Sequence, residues 1–306
     1  MAKITVATHD IQGSWQDYLT LCKPKVVLLL LITAFVGMQL TITDVKQLSS
    51  PDRLFTMLLA LIGIGFAASA AAIVNHLVDA NIDAKMQRTK HRPMVLKTVS
   101  YGSAILLAIS LSLISMFILI AFINPLTALL TFAGLIGYAF IYTFYLKHKT
   151  PQNIVIGGLS GALPPLLGWT AMTNDISTNG LMLLAFIFVW TPAHFWALAI
   201  DRVEDYKKAN VPMLPVVKGI SHTKSCVLVY TIITVAVSML PYFNQLSSGW
   251  YLLISIVAGT WYLSHAVKLK YFATAKTAIK CFYASIYYLF TIFVALLFDH
   301  YLMLLT

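Results

Sequence analysis

Residues Leu54 to Asp83 read LFTMLLALIGIGFAASAAAIVNHLVDANID. The first 24 of them carry no charge, more than the roughly 20 apolar residues needed to cross a bilayer as a helix. Asparagine and two aspartates then arrive four residues apart. A spanning helix that delivers a polar ladder to one membrane surface is the unit from which the rest can be read. The composition of the whole chain agrees: of 306 residues 59% are hydrophobic and 10% charged. A soluble domain carries about 25% charged residues, so a soluble enzyme, a secreted disulfide scaffold and a disordered chain are excluded. The fold class expected is all-α, a polytopic membrane protein forming a single domain over 1–306, with 1–25 as a cytoplasmic N-terminal segment.

Nine apolar stretches can be marked, at roughly 26–42, 54–77, 99–121, 124–146, 153–172, 180–199, 224–243, 249–267 and 279–298. Asn124-Pro125 predicts a tight hairpin between the third and fourth. The run from Gly63 to Ala72 is rich in Gly, Ala and Ser, which lets membrane helices approach closely. Gly157, Gly158, Gly161 and the Pro164-Pro165 pair predict a broken or kinked fifth span, for packing or for a cavity.

The net charge is +10. Nineteen of the 21 basic residues fall in the N-terminal segment or in the loops after spans two, four, six and eight; only Lys46 and Arg53 lie on the other side. Lys and Arg accumulate in cytoplasmic loops, so the excess reports orientation and not nucleic acid. The N-terminus is expected in the cytoplasm and the C-terminus in the periplasm. No apolar core precedes Val26 and basic residues are few before it, which argues against a cleavable signal or an organellar transit peptide and favours a bacterial inner membrane. Cys22, Cys226 and Cys281 are scattered and are expected to be buried thiols, not a disulfide or a metal site.

Two acidic clusters end up on the cytoplasmic side. In the first, Asn75, Asp79 and Asp83 drift only about 40° per four-residue step around a helix and rise ~6 Å, so they project from one face. Hard cations such as Mg²⁺ take one or two carboxylates together with substrate phosphates, and Arg88 and Arg92 just beyond suit phosphate oxygens. In the second, Asp201 and Asp205 repeat the spacing around Arg202. A single acidic residue at a helix end is commonly a solvated cap or an ion-pair partner. Two such ladders, one with Asn75 a turn deeper in the span where polar groups are costly, favour a diphosphate bridged by divalent cations. His194, in WTPAHFW from Trp190, stands seven residues before Asp201 and above the second cluster; it suits iron ligation, hydrogen bonding to a propionate or proton transfer. Pro192 can kink that span. His76, His91, His148 and His222 are expected to be solvated near cytoplasmic loops.

The segments DYLTLCKPKVV from Asp17, NHLVDANIDAKMQRTKHRP from Asn75, YTFYLKHKTPQNIVIGGLSGALPPLLGW from Tyr142 and WTPAHFWALAIDRVEDYKKANVPMLPVVKG from Trp190 resemble the UbiA-type intramembrane prenyltransferases. Within that superfamily the HFWALA and DY–PMLP stretches are most similar to the haem-farnesylating branch. The resemblance implies a nine-helix bundle that transfers farnesyl from farnesyl diphosphate to the vinyl group of haem b, with water addition, and uses Mg²⁺. It implies catalytic roles for Asn75, Asp79, Asp83 and Asp205, with Asp201 joining them as metal ligands. It places the diphosphate among Arg88, Arg92, Lys147, Arg202, Tyr142 and Tyr206, and haem at His194. The partners implied are both substrates, membrane lipid, and haem-processing or terminal-oxidase assembly proteins. Where many superfamily members carry Asp, this chain has His76.

Three other readings compete. An aromatic quinone precursor could accept the prenyl group at the same diphosphate site. An ion-coupled transporter would want charges deep in several spans, whereas here they gather at one face. A haem-carrying redox subunit would want paired intramembrane histidines, and only His194 is deep.

Overall fold

The computed structural model describes residues 13–306 except the side chain of His148. Lys3 and Asp10, which entered the charge tally, lie outside those residues. Among the described residues there is no strand. Eight helices are long and apolar enough to cross a membrane, and a ninth crossing is made if α1 (Trp15–Leu21) and α2 (Pro24–Gln39), bent by 49° at a short break, count as one.

Apart from short connecting turns, the main elements that follow are α3 (Pro51–Asp83), α4 (Tyr101–Ile118, continued by the π-helical Leu119–Ile123), α5 (Pro125–Ile136), the π-helical segment Gly137–Leu146, α6 (Asn153–Ala162), α7 (Pro164–Thr173), α8 (Thr178–Asp201), the short α9 (Val203–Lys208), α10 (Ile220–Ser238), α11 (Gly249–Tyr271) and α12 (Thr277–Leu305). Their ends follow the sequence. Ser50 caps α3 ahead of Pro51. Asn124 accepts from the Thr127 amide at 2.8 Å and starts α5 after the hairpin. Leu163 and Pro164 divide the fifth span into α6 and α7, because proline offers no N–H and its ring crowds the preceding turn.

The helices close into a ring. α3 packs on α2 and α4, the π-helical segment joins α3 to α6, α6 packs on α8, and α8 on α10 and α12; α11 links α10 to α12, and α12 returns to α2. The spans differ in depth: the best apolar window of Pro51–Asp83 is 61% buried, that of Tyr101–Ile123 only 17%. The ladder therefore rides on an inner helix, and the outer helices show Leu, Ile and Phe to lipid. Of the three thiols expected to be buried, Cys281 is, whereas Cys22 and Cys226 are half-buried.

Two glycines set the closest approach. A Cβ on Gly37 of α2 would run into the backbone carbonyl of Pro165, and one on Gly168 of α7 into that of Ala34. In lipid, where burying apolar groups supplies little drive, such close van der Waals packing holds helices together. Gly37→Val and Gly168→Val should each lower detergent-solubilised stability by about 1–3 kcal/mol, the usual cost of overpacking. Gly249→Ala, where a Cβ meets nothing within 4 Å, should leave it unchanged; thermal denaturation monitored by circular dichroism compares the three.

Candidate functional site

The ladder forms as the spacing predicts. Asn75, Asp79 and Asp83 lie within the last turns of α3, and all three are buried. They face the protein interior and not lipid, and each meets a basic group. Lys23 Nζ donates to Asn75 Oδ1 at 2.5 Å. Lys147 Nζ pairs with Asp79 Oδ2 at 2.5 Å, and Arg92 Nη1 with Asp83 Oδ2 at 2.6 Å. The Asn75 amide donates to Asp79 Oδ2 at 2.7 Å and reaches Thr143 Oγ1 at 3.4 Å. Asp79 is 1% exposed, and its Oδ1 is sealed without a hydrogen-bond partner. A buried acceptor left unpaired costs about 1–3 kcal/mol, and no group among the described residues answers that oxygen.

Local backbone brings these groups in. Lys23 occupies the break between α1 and α2 with φ 49°, a left-handed conformation uncommon outside glycine and costly for a long side chain. Adopting it turns the ammonium back onto Asn75. In Gly137–Leu146 the Thr143 hydroxyl donates to Tyr138 O, five residues back, at 2.8 Å. A π-helical turn holds one extra residue, and such turns recur at functional sites. Here the widening brings Tyr138, Tyr142 and Thr143 beside the ladder, the two tyrosine rings stacked at 5.4 Å. Gly157 is the counterpart: any Cβ there would collide with the Tyr142 ring.

The second cluster takes a different form from the one expected. Asp201 is the last residue of α8, the chain turns at Arg202 (φ −108°, ψ 21°), and α9 starts at Val203. Asp201 and Asp205 therefore do not share one continuous helix face. Asp201 pairs with its neighbour, Arg202 Nε to Asp201 Oδ2 at 3.1 Å, with Arg202 half-exposed. Asp205 and Tyr206 ride on α9, half-buried. Burial raises the Tyr206 phenol above its usual range, and Asp205 adds to the rise while Arg88 and Arg202 pull it down. Arg88 is exposed. Among the described residues no three His, Cys, Asp or Glu side chains converge tightly enough to hold an ion by themselves; the oxygen donors form an open set.

His194 lies on the buried face of α8, about 10 Å along the axis from Asp201 at 1.5 Å per residue. Its ring is stacked between Trp190, at 4.2 Å, and Phe282 of α12, at 4.4 Å. Its Nδ1 lies 2.7 Å from Ser285 Oγ. His76 departs from the sequence reading. It is 2% exposed, with both nitrogens sealed and unpartnered, because α3 continues as a buried helix past the polar residues that suggested a loop. Lys23 was legible only as one more basic residue; its contact with Asn75 depends on a backbone turn that no spacing announces. Thr143 and Tyr138 likewise depend on the π-helical register.

Residues 30–298 match the model of the UbiA prenyltransferase family. Protoheme IX farnesyltransferase 2 of Pseudoalteromonas atlantica is 50% identical over 304 residues, covering 98% of this chain and 97% of that protein. Protoheme IX farnesyltransferase of Colwellia psychrerythraea is 48% identical, covering 95% and 94%. Among solved structures, digeranylgeranylglyceryl phosphate synthase superposes with a TM-score of 0.77 at 17% identity, covering 93% of this chain and 98% of that one. A UbiA homolog from Archaeoglobus fulgidus bound to DMAPP and Mg²⁺ gives 0.65 at 18%, covering 92% and 99%. The two structures share the fold. By the family match and by near full-length identity of about half, the chain belongs to the UbiA prenyltransferase family, on its protoheme IX farnesyltransferase branch.

Proposed function

We propose that the ladder of Asn75, Asp79 and Asp83, with Lys23, Lys147 and Arg92 upon it, is the diphosphate end of a protoheme IX farnesyltransferase site. The protein transfers farnesyl from farnesyl diphosphate to the vinyl group of haem b, water completes the new side chain, and pyrophosphate leaves. The observation that carries this reading is the unpartnered Asp79 Oδ1 in a cluster where three cationic groups meet two carboxylates. Basic side chains gathered from three parts of the chain around an open carboxylate oxygen suit an anionic headgroup carried with a cation.

The oxygen donors fit Mg²⁺: Asp79, Asn75 and Asp83 from one side and Asp205 from α9 would hold it, with substrate phosphates filling the open set. When bound, the ion neutralises charge that develops on the departing pyrophosphate. The homolog structure with DMAPP and Mg²⁺ is the precedent. The chain itself supplies the rest. Lys23, Lys147 and Arg92 sit on the ladder, where they would bind and orient phosphate oxygens, and Arg88 after α3 and Arg202 before α9 would add to the same positive field. Fixed cations aimed at developing negative charge are the largest single contribution in this kind of catalysis. Tyr142 and the apolar bundle beyond it would shelter the allylic cation from water until the haem vinyl group attacks. The attack moves the cation onto the haem side chain, and water then adds there and loses a proton. His194, deeper in the bundle, holds haem against α8 and α12.

The charge asymmetry supports an inner-membrane location with the N-terminus and this site at the cytoplasmic face. Haem O would then leave through lipid or pass to haem-processing or oxidase-assembly proteins.

Purified protein given haem b, farnesyl diphosphate and Mg²⁺ should yield haem O by chromatography, with haem b preferred when a quinone precursor competes. Asp79→Asn and Asp205→Asn should each cut turnover by about 10²-fold or more, the usual cost of losing one such electrostatic group, without loss of helicity. Wild-type turnover in Asp79→Asn would remove the ladder from the mechanism, and the same result in Asp205→Asn would remove α9. His194→Ala should weaken haem binding in a Soret titration while leaving farnesyl diphosphate binding unchanged; equal haem affinity would mean that haem does not sit there.

A further inference from the structure

His194 is held more firmly than stacking alone requires, and the hydrogen bonds at its Nδ1 specify a proton. Ser285 is fully buried on α12. Its Oγ lies 2.5 Å from Phe282 O and 2.7 Å from His194 Nδ1. A hydroxyl has one proton to give, and a carbonyl oxygen can only accept. The short contact to Phe282 O, three residues back on the same helix, therefore takes the Ser285 proton. The lone pairs left on Oγ can only accept, so the group facing them is Nδ1–H. In neutral imidazole the proton on Nδ1 leaves a free lone pair on Nε2. His194 Nε2 has no hydrogen-bond partner among the described residues, yet, unlike both nitrogens of His76, it is not among the sealed polar atoms.

The surroundings leave the ring no other pose. Trp190 and Phe282 bracket its two faces, with interplanar angles of 20° and 28°. Trp190 Nε1 in turn donates to Ser285 O at 2.9 Å, which ties α8 to the same turn of α12. Stacking fixes the plane of the imidazole, but a half-turn about Cβ–Cγ, which keeps that plane, would put Cδ2 where Nδ1 stands and Cε1 where Nε2 stands. Ser285 breaks that degeneracy.

We propose that Ser285 is a positioning residue that locks His194 in the Nδ1–H tautomer and directs the Nε2 lone pair at the haem substrate. A partner on the far nitrogen is the general way in which proteins orient an imidazole and set its tautomer. A neutral hydroxyl does so without adding the negative charge that a carboxylate would bring into the membrane interior. The functional half of this proposal rests on the reading of His194 as the haem contact; the tautomer does not.

The test separates the two. Histidine labelled with ¹⁵N in the full-length protein in lipid, without substrate, reports by solid-state NMR which nitrogen of His194 carries the proton, the signal being assigned by its loss in His194→Ala. Wild type should show Nδ1–H alone. Ser285→Ala should release the ring to a mixture with Nε2–H, and Ser285→Thr, whose hydroxyl can bond the same helix carbonyl, should restore the single form. Haem affinity by Soret titration should fall about tenfold in Ser285→Ala, the lower end of what lost orienting partners cost, and return in Ser285→Thr. Nε2–H in wild type, or an unchanged tautomer in Ser285→Ala, overturns the proposal whatever the variants do. A tautomer that shifts while haem affinity stays constant upholds Ser285 as the lock and overturns His194 as the haem contact.

Discussion

A carboxylate 1% exposed inside a membrane bundle has to be answered by positive charge, and Asp79 is the residue around which this protein is arranged. An ion taken out of water loses several kcal/mol even after relaxation, and a buried pair that loses one partner is destabilised by about 3–5 kcal/mol. Lys147 answers one oxygen of Asp79 directly, Lys23 reaches the same group through Asn75, and Arg92 answers Asp83 a turn away. These bases come from three separate parts of the chain, so the ladder holds together the break before α2, the π-helical segment and the loop after α3. Among the described residues nothing answers the remaining Asp79 oxygen. An unpaired buried acceptor costs stability, and the proposed role of the site as a diphosphate cradle would account for it.

The fold serves this arrangement by carrying the ladder on a central helix. The Gly37 and Gly168 contacts bring α2 against α7, and at the other end of α2 Lys23 reaches Asn75 of α3. Gly157 clears room for the Tyr142 ring. The broken fifth span, the π-helical turn and the proline within α8 are departures from regular helix. In a bilayer such departures are tolerated only where protein covers the freed groups, and Thr143 satisfies Tyr138 O in the π-helical turn.

Much of this was legible in the sequence because the bilayer simplifies it. Hydropathy marks the spans, and the four-residue spacing places Asn75, Asp79 and Asp83 on one face whatever their neighbours do. The Pro164-Pro165 break and the Asn124 hairpin follow from what those residues cannot do in a helix. The second cluster was less legible, since the i,i+4 spacing of Asp201 and Asp205 presumed a helix that the chain ends at Arg202. His76 was misjudged because a polar run at a span end resembles a loop, whereas α3 keeps it inside. Lys23 and Ser285 left no trace at all: one is placed by a left-handed backbone angle, the other by a contact across 91 residues. Such contacts come from tertiary structure and have no local pattern to read.

The account stands or falls on whether the two acidic segments close on one headgroup. The direct measurement is a structure with Mn²⁺ in place of Mg²⁺ and a farnesyl diphosphate analogue whose phosphorus–carbon or phosphorus–sulfur link cannot ionise, the ion being placed by its anomalous scattering. The account predicts a metal peak touching Asp79 Oδ1 and an oxygen of Asp205, with Lys147 swung from Asp79 to the diphosphate. An ion elsewhere, with Lys147 still on Asp79 and Asp205 facing water, would contradict it.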